Sequence, residues 1–238
     1  MTNSISTQQM KKIARIAGIL YLIIFITAGF AQGFVREGLI VTGDPSATFV
    51  NITSSEGLFR SALISDLTAF LSDAIISVIL YFLLRPVSRV GAAVMASLRL
   101  LAHPAIAVIN LINHYAAIEI ATGTYFTSWS PEQLESMVYF FTEMHSAGYL
   151  IAGAFFGVHL LILGILLFRS ENFPKWLGIL VAIAGPAYIA ESTGNLVWPG
   201  NEALFSTIVL IAAVTAELAL TLWLLLKGVK TPVAASGH

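Results

Sequence analysis

The sequence predicts an all-α protein: a polytopic membrane bundle of six transmembrane helices, with short amphipathic helices in the loops at one end. Hydrophobic residues make up 57% of the 238 residues and charged residues only 11%, with a mean hydropathy of +0.85. Soluble domains carry about 25% charged residues. Six apolar runs are each near the ~20 residues that a helix needs to cross a hydrocarbon core of about 30 Å. Because backbone groups in lipid must be hydrogen-bonded within their own segment, each run is expected to be a helix.

We expect the six spans, in chain order, at about residues 16–35, 61–84, 90–112, 145–168, 176–197 and 204–226. No linker, low-complexity tract or internal repeat separates them, so residues 1–238 are predicted to form a single membrane domain.

Two loops at one end of the bundle carry helix-start signals. Asp44 precedes Pro45, which is the pattern of an N-cap followed by proline at the first helical position. Ser130 precedes Pro131, and Gln133 has the spacing of a capping box. Short surface helices are therefore predicted to begin at Pro45 and Pro131.

The distribution of basic residues predicts the orientation of the bundle. One side of the predicted membrane carries nine of them: Lys11, Lys12, Arg15, Arg85, Arg89, Arg169, Lys175, Lys227 and Lys230. The other side has only Arg36 and Arg60, among several acidic residues. Because cytoplasmic flanks retain Lys and Arg, both termini are expected in the cytoplasm, with the protein in the inner (plasma) membrane.

Net charge and cysteine content exclude several functions. The net charge is −1 and no basic tract could follow a phosphate backbone, so the lipid bilayer, and not a nucleic acid, is the expected partner. There is no cysteine, which excludes disulfides, thiolate metal sites and a cysteine nucleophile. We find no phosphate-binding loop or nucleophile elbow either, and no catalytic residue is assigned.

Ionisable residues inside the predicted spans form two groups. Such a residue costs at least about 2.5 kcal/mol at the bilayer centre, so it is expected to face the bundle interior, to pair or to line a path. Near the middle of the bundle, Asp73, Arg99 and His103 are predicted to form a buried ion pair and polar core. A second group, in the outer third, is predicted to line an outward-opening ligand cavity: Asp66, Asn110, His114, His145, Glu191 and Asn195.

Helical spacing supports this grouping on the third span. Arg99, His103, Asn110 and His114 are separated by 4, 7 and 4 residues. At 100° per residue they fall within about 60° of one another, on one face of the helix. Pro104 is expected to kink this helix, because it removes a backbone hydrogen bond.

No cofactor is predicted, although two alternatives stay open. Four residues of the second group have side chains suited to a metal such as zinc: Asp66, His114, His145 and Glu191. No H-E-x-x-H spacing supports a metal site. Bis-histidine haem would pair His103 with His159 and His114 with His145, on antiparallel spans. The two spacings, 11 and 14 residues, differ by about 4.5 Å along a helix.

Glycines four residues apart predict close helix packing. Gly29 with Gly33, and Gly153 with Gly157, have the small-xxx-small spacing. The alternative interpretation is self-association into a homo-oligomer.

Several phrases resemble a known family. They are KKIARIAGILYLIIFITAGFAQGFVR, GDPSAT, LYFLLRPVSR and MHSAGYLIAGAFFGVHLLILGILLFRSENFPKWLGILVAIAGPAYIAES, within about Ile13 to Trp198. The chain resembles the bacterial membrane proteins grouped as domain of unknown function 4386. The resemblance implies a polytopic inner-membrane protein and brings no activity. Asp66, Asp73, Arg99 and the HSAGY phrase at His145 look like recurring family features without assigned roles.

The sequence therefore predicts a membrane protein whose polar cavity binds, and in one version transports, a small molecule, lipid or ion. An intramembrane enzyme acting on a lipid or isoprenoid is the first alternative. The second is a structural or signalling partner without a ligand.

Overall fold

The computed structural model describes residues 6–230, which form seven helices and no β-strand. Six of these helices are long and apolar enough to cross a membrane: α1 (Thr7–Leu39), α3 (Glu56–Leu84), α4 (Arg89–Thr122), α5 (Pro131–Arg169), α6 (Lys175–Val197) and α7 (Glu202–Leu226). The remaining helix, α2, is Pro45–Ser54. The predicted all-α, multi-pass membrane fold is confirmed. Residues 1–5 and 231–238 of the predicted single domain lie outside the described residues.

Both predicted helix starts are present. The Asp44 side chain accepts a hydrogen bond from the Ala47 backbone N–H at 2.9 Å, at the start of α2. Ser130 and Gln133 form the capping box that begins α5. This second helix is continuous with the fourth span and has 39 residues. At 1.5 Å per residue it is about 58 Å long, so it extends well beyond a hydrocarbon core of about 30 Å.

Two spanning helices contain a π-helical segment, which widens the turn by one residue. One is Phe30–Arg36 in α1, and the other is Leu101–Ala107 in α4. Pro104 lies inside the second segment, so the backbone accommodates it there by a π-helical turn. The first segment extends α1 past its predicted end at residue 35. As a result Arg36, predicted in a flank, is only 3% exposed.

Helices α5 and α6 approach each other most closely at glycines. A Cβ on Gly164 would lie 2.3 Å from the Ala182 nitrogen, and one on Gly157 would lie 2.7 Å from the Gly185 oxygen. Only a residue without a side chain fits at these contacts. A Cβ on Gly29 or Gly33 would meet no described atom within 4 Å. Gly157 therefore serves packing inside the chain, whereas the Gly29 and Gly33 stripe lies against no other described helix.

A separate apolar core lies beneath α2. It joins the end of α1, the start of α3 and the facing parts of α4 and α5, with five fully or almost fully buried side chains: Val35, Ile52, Phe59, Ile118 and Val138. The α2 helix is anchored to α5 by a hydrogen bond from the Gly43 N–H to the Tyr139 hydroxyl at 2.8 Å. Helix α2 thus covers one end of the bundle.

Candidate functional site

The ionisable side chains of the bundle form two clusters, each built around one arginine. The Arg99 cluster is Tyr21, Asp73, Arg99, His103 and His159. The Arg36 cluster is Arg36, Asp66, His114, His145 and Tyr149. Both aspartates come from α3, seven residues apart, so they lie on one face of that helix.

In the Arg99 cluster, the arginine is 1% exposed and makes contacts in several directions. It forms an ion pair with Asp73 and donates to the Tyr21 hydroxyl at 3.0 Å. The second carboxylate oxygen of Asp73 is hydrogen-bonded to His103 Nδ1. The structure thus brings Asp73, Arg99 and His103 together, as the sequence predicts for the polar core.

The orientation of His159 is set by two neighbours. Its Nδ1 donates to the Met95 carbonyl at 2.8 Å, and its Nε2 accepts from Arg99 at 3.2 Å. The guanidinium carbon of Arg99 also lies 4.8 Å from the Tyr21 ring centroid and 5.2 Å from that of Phe156. This charge is therefore surrounded by one carboxylate and two aromatic faces, which attract cations.

In the Arg36 cluster, Arg36 forms an ion pair with Asp66. Its Nε donates to His114 Nδ1 at 3.4 Å. The Tyr149 hydroxyl lies near the Asp66 carboxylate, and the Arg36 guanidinium carbon lies 5.9 Å from the Tyr149 ring centroid. This cluster therefore joins α1, α3, α4 and α5.

The two imidazoles of this cluster are fixed by backbone carbonyls. His114 Nε2 donates to the Phe59 carbonyl at 2.9 Å, which leaves Nδ1 to accept from Arg36. His145 Nδ1 lies 3.3 Å from the Asn110 carbonyl oxygen and 3.4 Å from the Asn110 side-chain nitrogen. The Asn110 amide in turn donates to the His145 carbonyl at 2.7 Å. The two histidine ring centroids are 5.5 Å apart.

Gly148 makes this pairing of α4 and α5 fit. A Cβ at Gly148 would lie 2.0 Å from Asn110 Oδ1, so any side chain there would displace Asn110. The glycine allows the amide to reach the His145 carbonyl.

Three buried polar atoms on α5 and α6 have no hydrogen-bond partner within residues 6–230: His145 Nε2, Ser192 Oγ and Asn195 Oδ1. Ser192 faces α5, because its hydroxyl lies 2.9 Å from where a Cβ on Gly153 would be. Helices α5 and α6 are antiparallel, so one further turn along α6 brings Asn195 level with the turn of α5 that carries Tyr149. Buried polar atoms are nearly always paired, and such exceptions mark a place for another partner.

Four of the six predicted cavity residues thus belong to one group: Asp66, Asn110, His114 and His145. Each is at most 6% exposed, so the group is closed in this conformation. Asn195 lies on the adjacent helix. Glu191 instead faces α7, where its carboxylate lies near Ser206.

Two of the four candidate metal ligands, Asp66 and His114, are engaged by the protein itself. Asp66 is paired with Arg36, and both ring nitrogens of His114 have partners. In the described part of the chain, no group of three or more His, Cys, Asp or Glu side chains has an arrangement that could hold a metal ion.

Sequence reasoning missed Arg36 and the two tyrosines, Tyr21 and Tyr149. Each of the three residues lies among apolar residues, so its sequence context does not indicate a polar site. A tyrosine hydroxyl buried in the bundle nevertheless needs a hydrogen-bond partner. Glu217 has no evident partner in the sequence, and the structure provides one, the Tyr188 hydroxyl at 3.0 Å.

The two clusters are separated by one aromatic ring. Phe70 of α3 lies 5.8 Å from His103 and 6.2 Å from Tyr149, between ring centroids. The polar residues thus follow one face of α3, interrupted by an apolar layer.

Comparison with known proteins places this chain in a family without providing an activity. A family described as "Domain of unknown function (DUF4386)" matches residues 16–228. An "Uncharacterized protein" of Archaeoglobus fulgidus is 32% identical over 162 residues, which cover 66% of this chain and 78% of that protein. No solved structure matches the chain. The matched region includes all six spanning helices in whole or in large part, and the chain belongs to the family of domain of unknown function 4386.

Proposed function

We propose that this protein binds a small neutral or zwitterionic molecule inside the membrane. The ligand lies beside the Arg36 cluster, between α5 and α6. The observation that carries the proposal is His145 Nε2, a buried ring nitrogen without a hydrogen-bond partner in the described chain. We assign His145 the tautomer in which Nδ1 donates to the Asn110 carbonyl, so that Nε2 carries a lone pair and is an acceptor. The ligand therefore donates a hydrogen bond to this nitrogen.

Neighbouring atoms define more of the ligand. Ser192 Oγ and Asn195 Oδ1, both on α6, are buried without partners among residues 6–230. A ligand with two or more polar groups, such as a polyol or an amino acid, satisfies His145 and one of these atoms together. Leaving a buried polar group unpaired costs about 1–3 kcal/mol, so such a ligand relieves a large cost.

Charge balance favours a ligand without net charge. Arg36 and Asp66 neutralise each other, and the hydrogen bonds of His114 and His145 are those of neutral imidazoles. A charged ligand would thus bring an uncompensated charge into the membrane, which costs several kcal/mol. A neutral or zwitterionic molecule avoids this cost.

Access to the site requires a movement. The predicted cavity residues are closed off, and the apolar core beneath α2 lies at that end of the bundle. A displacement of α2 from α5 would open the path, and the Gly43 to Tyr139 hydrogen bond is the polar contact that it would break.

The first test measures the thermal unfolding of the detergent-purified protein with a panel of amino acids, polyols and nucleosides, and with acetate and ethylammonium as charged counterparts. We expect a neutral or zwitterionic compound to raise the unfolding temperature in a saturable way. The effect should disappear in His145→Phe, which keeps the ring contact with Tyr149 but removes Nε2. The matched control is Glu191→Gln, a predicted cavity residue that faces α7 and should leave binding unchanged.

A second readout does not depend on knowing the ligand. Diethyl pyrocarbonate modifies an imidazole nitrogen with a free lone pair, so His145 should be modified while His114 and His159, with both nitrogens engaged, are not. Equal stabilisation of wild type and His145→Phe, or a His145 that stays unmodified, would contradict the proposal.

We also propose that the protein spans the plasma membrane with both ends of the described chain on the cytoplasmic side. The nine basic residues named above flank the spans at the end that holds the start of α1 and the end of α7. A reporter fused after Lys230 should therefore give a cytoplasmic signal. A signal from the opposite side would reverse the orientation.

A further inference from the structure

A basic pocket lies at the opposite end of the bundle from α2. It has a volume of about 450 Å³ and is lined by residues at and around the α5–α6 connection and by Lys230, four residues after the end of α7: Phe168, Arg169, Ser170, Glu171, Phe173, Lys175 and Lys230. Three of these side chains are basic and one is acidic, so the pocket carries a net positive charge.

The backbone around the pocket is held in place. The Lys230 N–H donates to the Asn172 carbonyl at 2.9 Å, which ties the chain after α7 to the α5–α6 connection. Phe173 and Val229 are buried in the main apolar core, at 1% and 2% exposure. The pocket is therefore a fixed part of the fold.

Two further features favour an anion. Lys175 is the first residue of α6, and the N-terminus of a helix carries partial positive charge and free N–H groups. The Lys175 ammonium lies 5.4 Å from the Phe168 ring centroid, which keeps it at the pocket wall. The surrounding end of the bundle contributes six more basic residues and no further acidic one among residues 6–230: Lys11, Lys12, Arg15, Arg85, Arg89 and Lys227.

The surroundings identify the source of the anion. Trp176, next to Lys175, is 49% exposed, and tryptophan prefers the headgroup level of a bilayer. Beyond it, Phe168 and Ile179 are 42% and 50% exposed, as side chains in contact with acyl chains are. A headgroup in the pocket would place its acyl chains along this apolar surface.

We infer that this pocket binds the phosphate headgroup of an anionic phospholipid, such as phosphatidylglycerol, through Arg169, Lys175 and Lys230. Basic pockets at the cytoplasmic ends of membrane helices are suited to this chemistry. The inference does not depend on a ligand at the Arg36 cluster.

The experiment compares lipid binding by native mass spectrometry, on protein released from membranes of equal phosphatidylglycerol and phosphatidylcholine content. The pocket variant is Arg169→Gln, Lys175→Gln and Lys230→Gln. The control variant is Arg85→Gln, Arg89→Gln and Lys227→Gln, which removes the same charge from the same end outside the pocket. We expect the ratio of bound phosphatidylglycerol to phosphatidylcholine to fall about tenfold in the pocket variant, since each of its three basic residues contributes about fivefold at most. In the control variant the ratio should fall less than twofold, because its three basic residues do not line the pocket.

A third variant changes the ratio in the opposite direction. Glu171→Gln removes the one acidic side chain of the pocket and should raise the share of phosphatidylglycerol. All these residues are exposed except Arg85, which is half-buried, and equal unfolding temperatures will verify that the variants fold.

Three outcomes would overturn the inference. Equal losses in both triple variants would mean that the charge acts diffusely, and no loss in either would mean that there is no site. Inorganic phosphate at millimolar concentration that displaces the lipid completely would assign the pocket to the free anion.

Discussion

The two arginine clusters are built from the same residue types but differ in the kind of buried atom that lacks a hydrogen-bond partner. Each pairs an arginine with an aspartate of α3 and with a histidine whose other nitrogen donates to a backbone carbonyl. In the Arg99 cluster both oxygens of Asp73 and both nitrogens of His159 are engaged, and the atom without a partner is Arg99 Nε, part of a guanidinium that faces two aromatic rings. In the Arg36 cluster the atom without a partner is His145 Nε2, an imidazole nitrogen.

This difference separates a structural core from a candidate site. A buried charge that is paired inside the protein fixes the packing of helices, and the two aromatic rings beside the Arg99 guanidinium also attract a cation. The His145 nitrogen has no such compensation and needs a ligand or water to complete it. Residue type and depth do not distinguish these two situations, and neither does the number of unpartnered buried atoms, which is one in each cluster among residues 6–230.

The largest expected effect is that of Arg99→Gln on stability. The substitution leaves Asp73 buried without its cation, and breaking a buried ion pair in this way costs about 3–5 kcal/mol. Arg36→Gln should cost less, about 1–3 kcal/mol, because Asp66 is farther than Asp73 from the middle of the predicted span 61–84, where an unpaired charge is most costly. Both losses of stability are measured as the change in the free energy of unfolding of each variant in detergent.

The double variant Asp73→Asn, Arg99→Gln is the control for this pair. It should recover part of the loss, because no unpaired charge remains, whereas losses that simply add would show that the two residues do not interact. Equal losses at Arg36 and Arg99 would contradict the distinction between the clusters.

A smaller effect is expected at Gly148, where α4 and α5 meet in the Arg36 cluster. Gly148→Ala places a methyl group 2.0 Å from the present position of Asn110 Oδ1, so it should separate Asn110 from the His145 carbonyl. Overpacking of this kind costs about 1–3 kcal/mol. The matched control is Gly29→Ala, whose methyl group would meet no described atom within 4 Å.

The helical preference of alanine over glycine should make the Gly29 control neutral, or more stable by up to about 1 kcal/mol. Diethyl pyrocarbonate modification of His145 should become faster in Gly148→Ala and stay unchanged in Gly29→Ala. A stable Gly148→Ala with unchanged modification would mean that Asn110 does not hold His145.

The fold was predictable from local signals. Long apolar runs can only be satisfied in lipid as helices, and the capping residues Asp44 and Ser130 act within three residues of themselves. The Asp73–Arg99 pairing was also accessible, because both residues lie near the middle of their spans. These inferences need depth along a helix but little knowledge of its rotation.

The composition of the Arg36 cluster was not predictable, because it depends on rotation and on backbone irregularity. The π-helical segment of α1 continues the helix past residue 35, the predicted end of the span, and places Arg36 inside the bundle, where it pairs with Asp66. On α6, Glu191 and Ser192 differ by one residue, or 100°, so one faces α7 and the other faces α5. Their depth in the membrane, which the sequence predicts, is the same for both residues and does not show which neighbouring helix each one faces.

The smallest expected effect tests whether α2 covers the Arg36 cluster and not merely the end of the bundle. Tyr139→Phe removes the hydroxyl that accepts from the Gly43 N–H, a bond worth about 0.5–1.5 kcal/mol. The unfolding temperature should hardly change, but amide hydrogen exchange across α2 should become faster. Tyr125→Phe, a 77% exposed tyrosine at the same end, is the matched control.

If α2 is the cover, diethyl pyrocarbonate modification of His145 should become faster, together with the amide exchange of α2, in Tyr139→Phe alone. Faster exchange with unchanged modification would separate α2 from the site and move the route of entry to the seam between α5 and α6, where the unpartnered atoms of α6 lie.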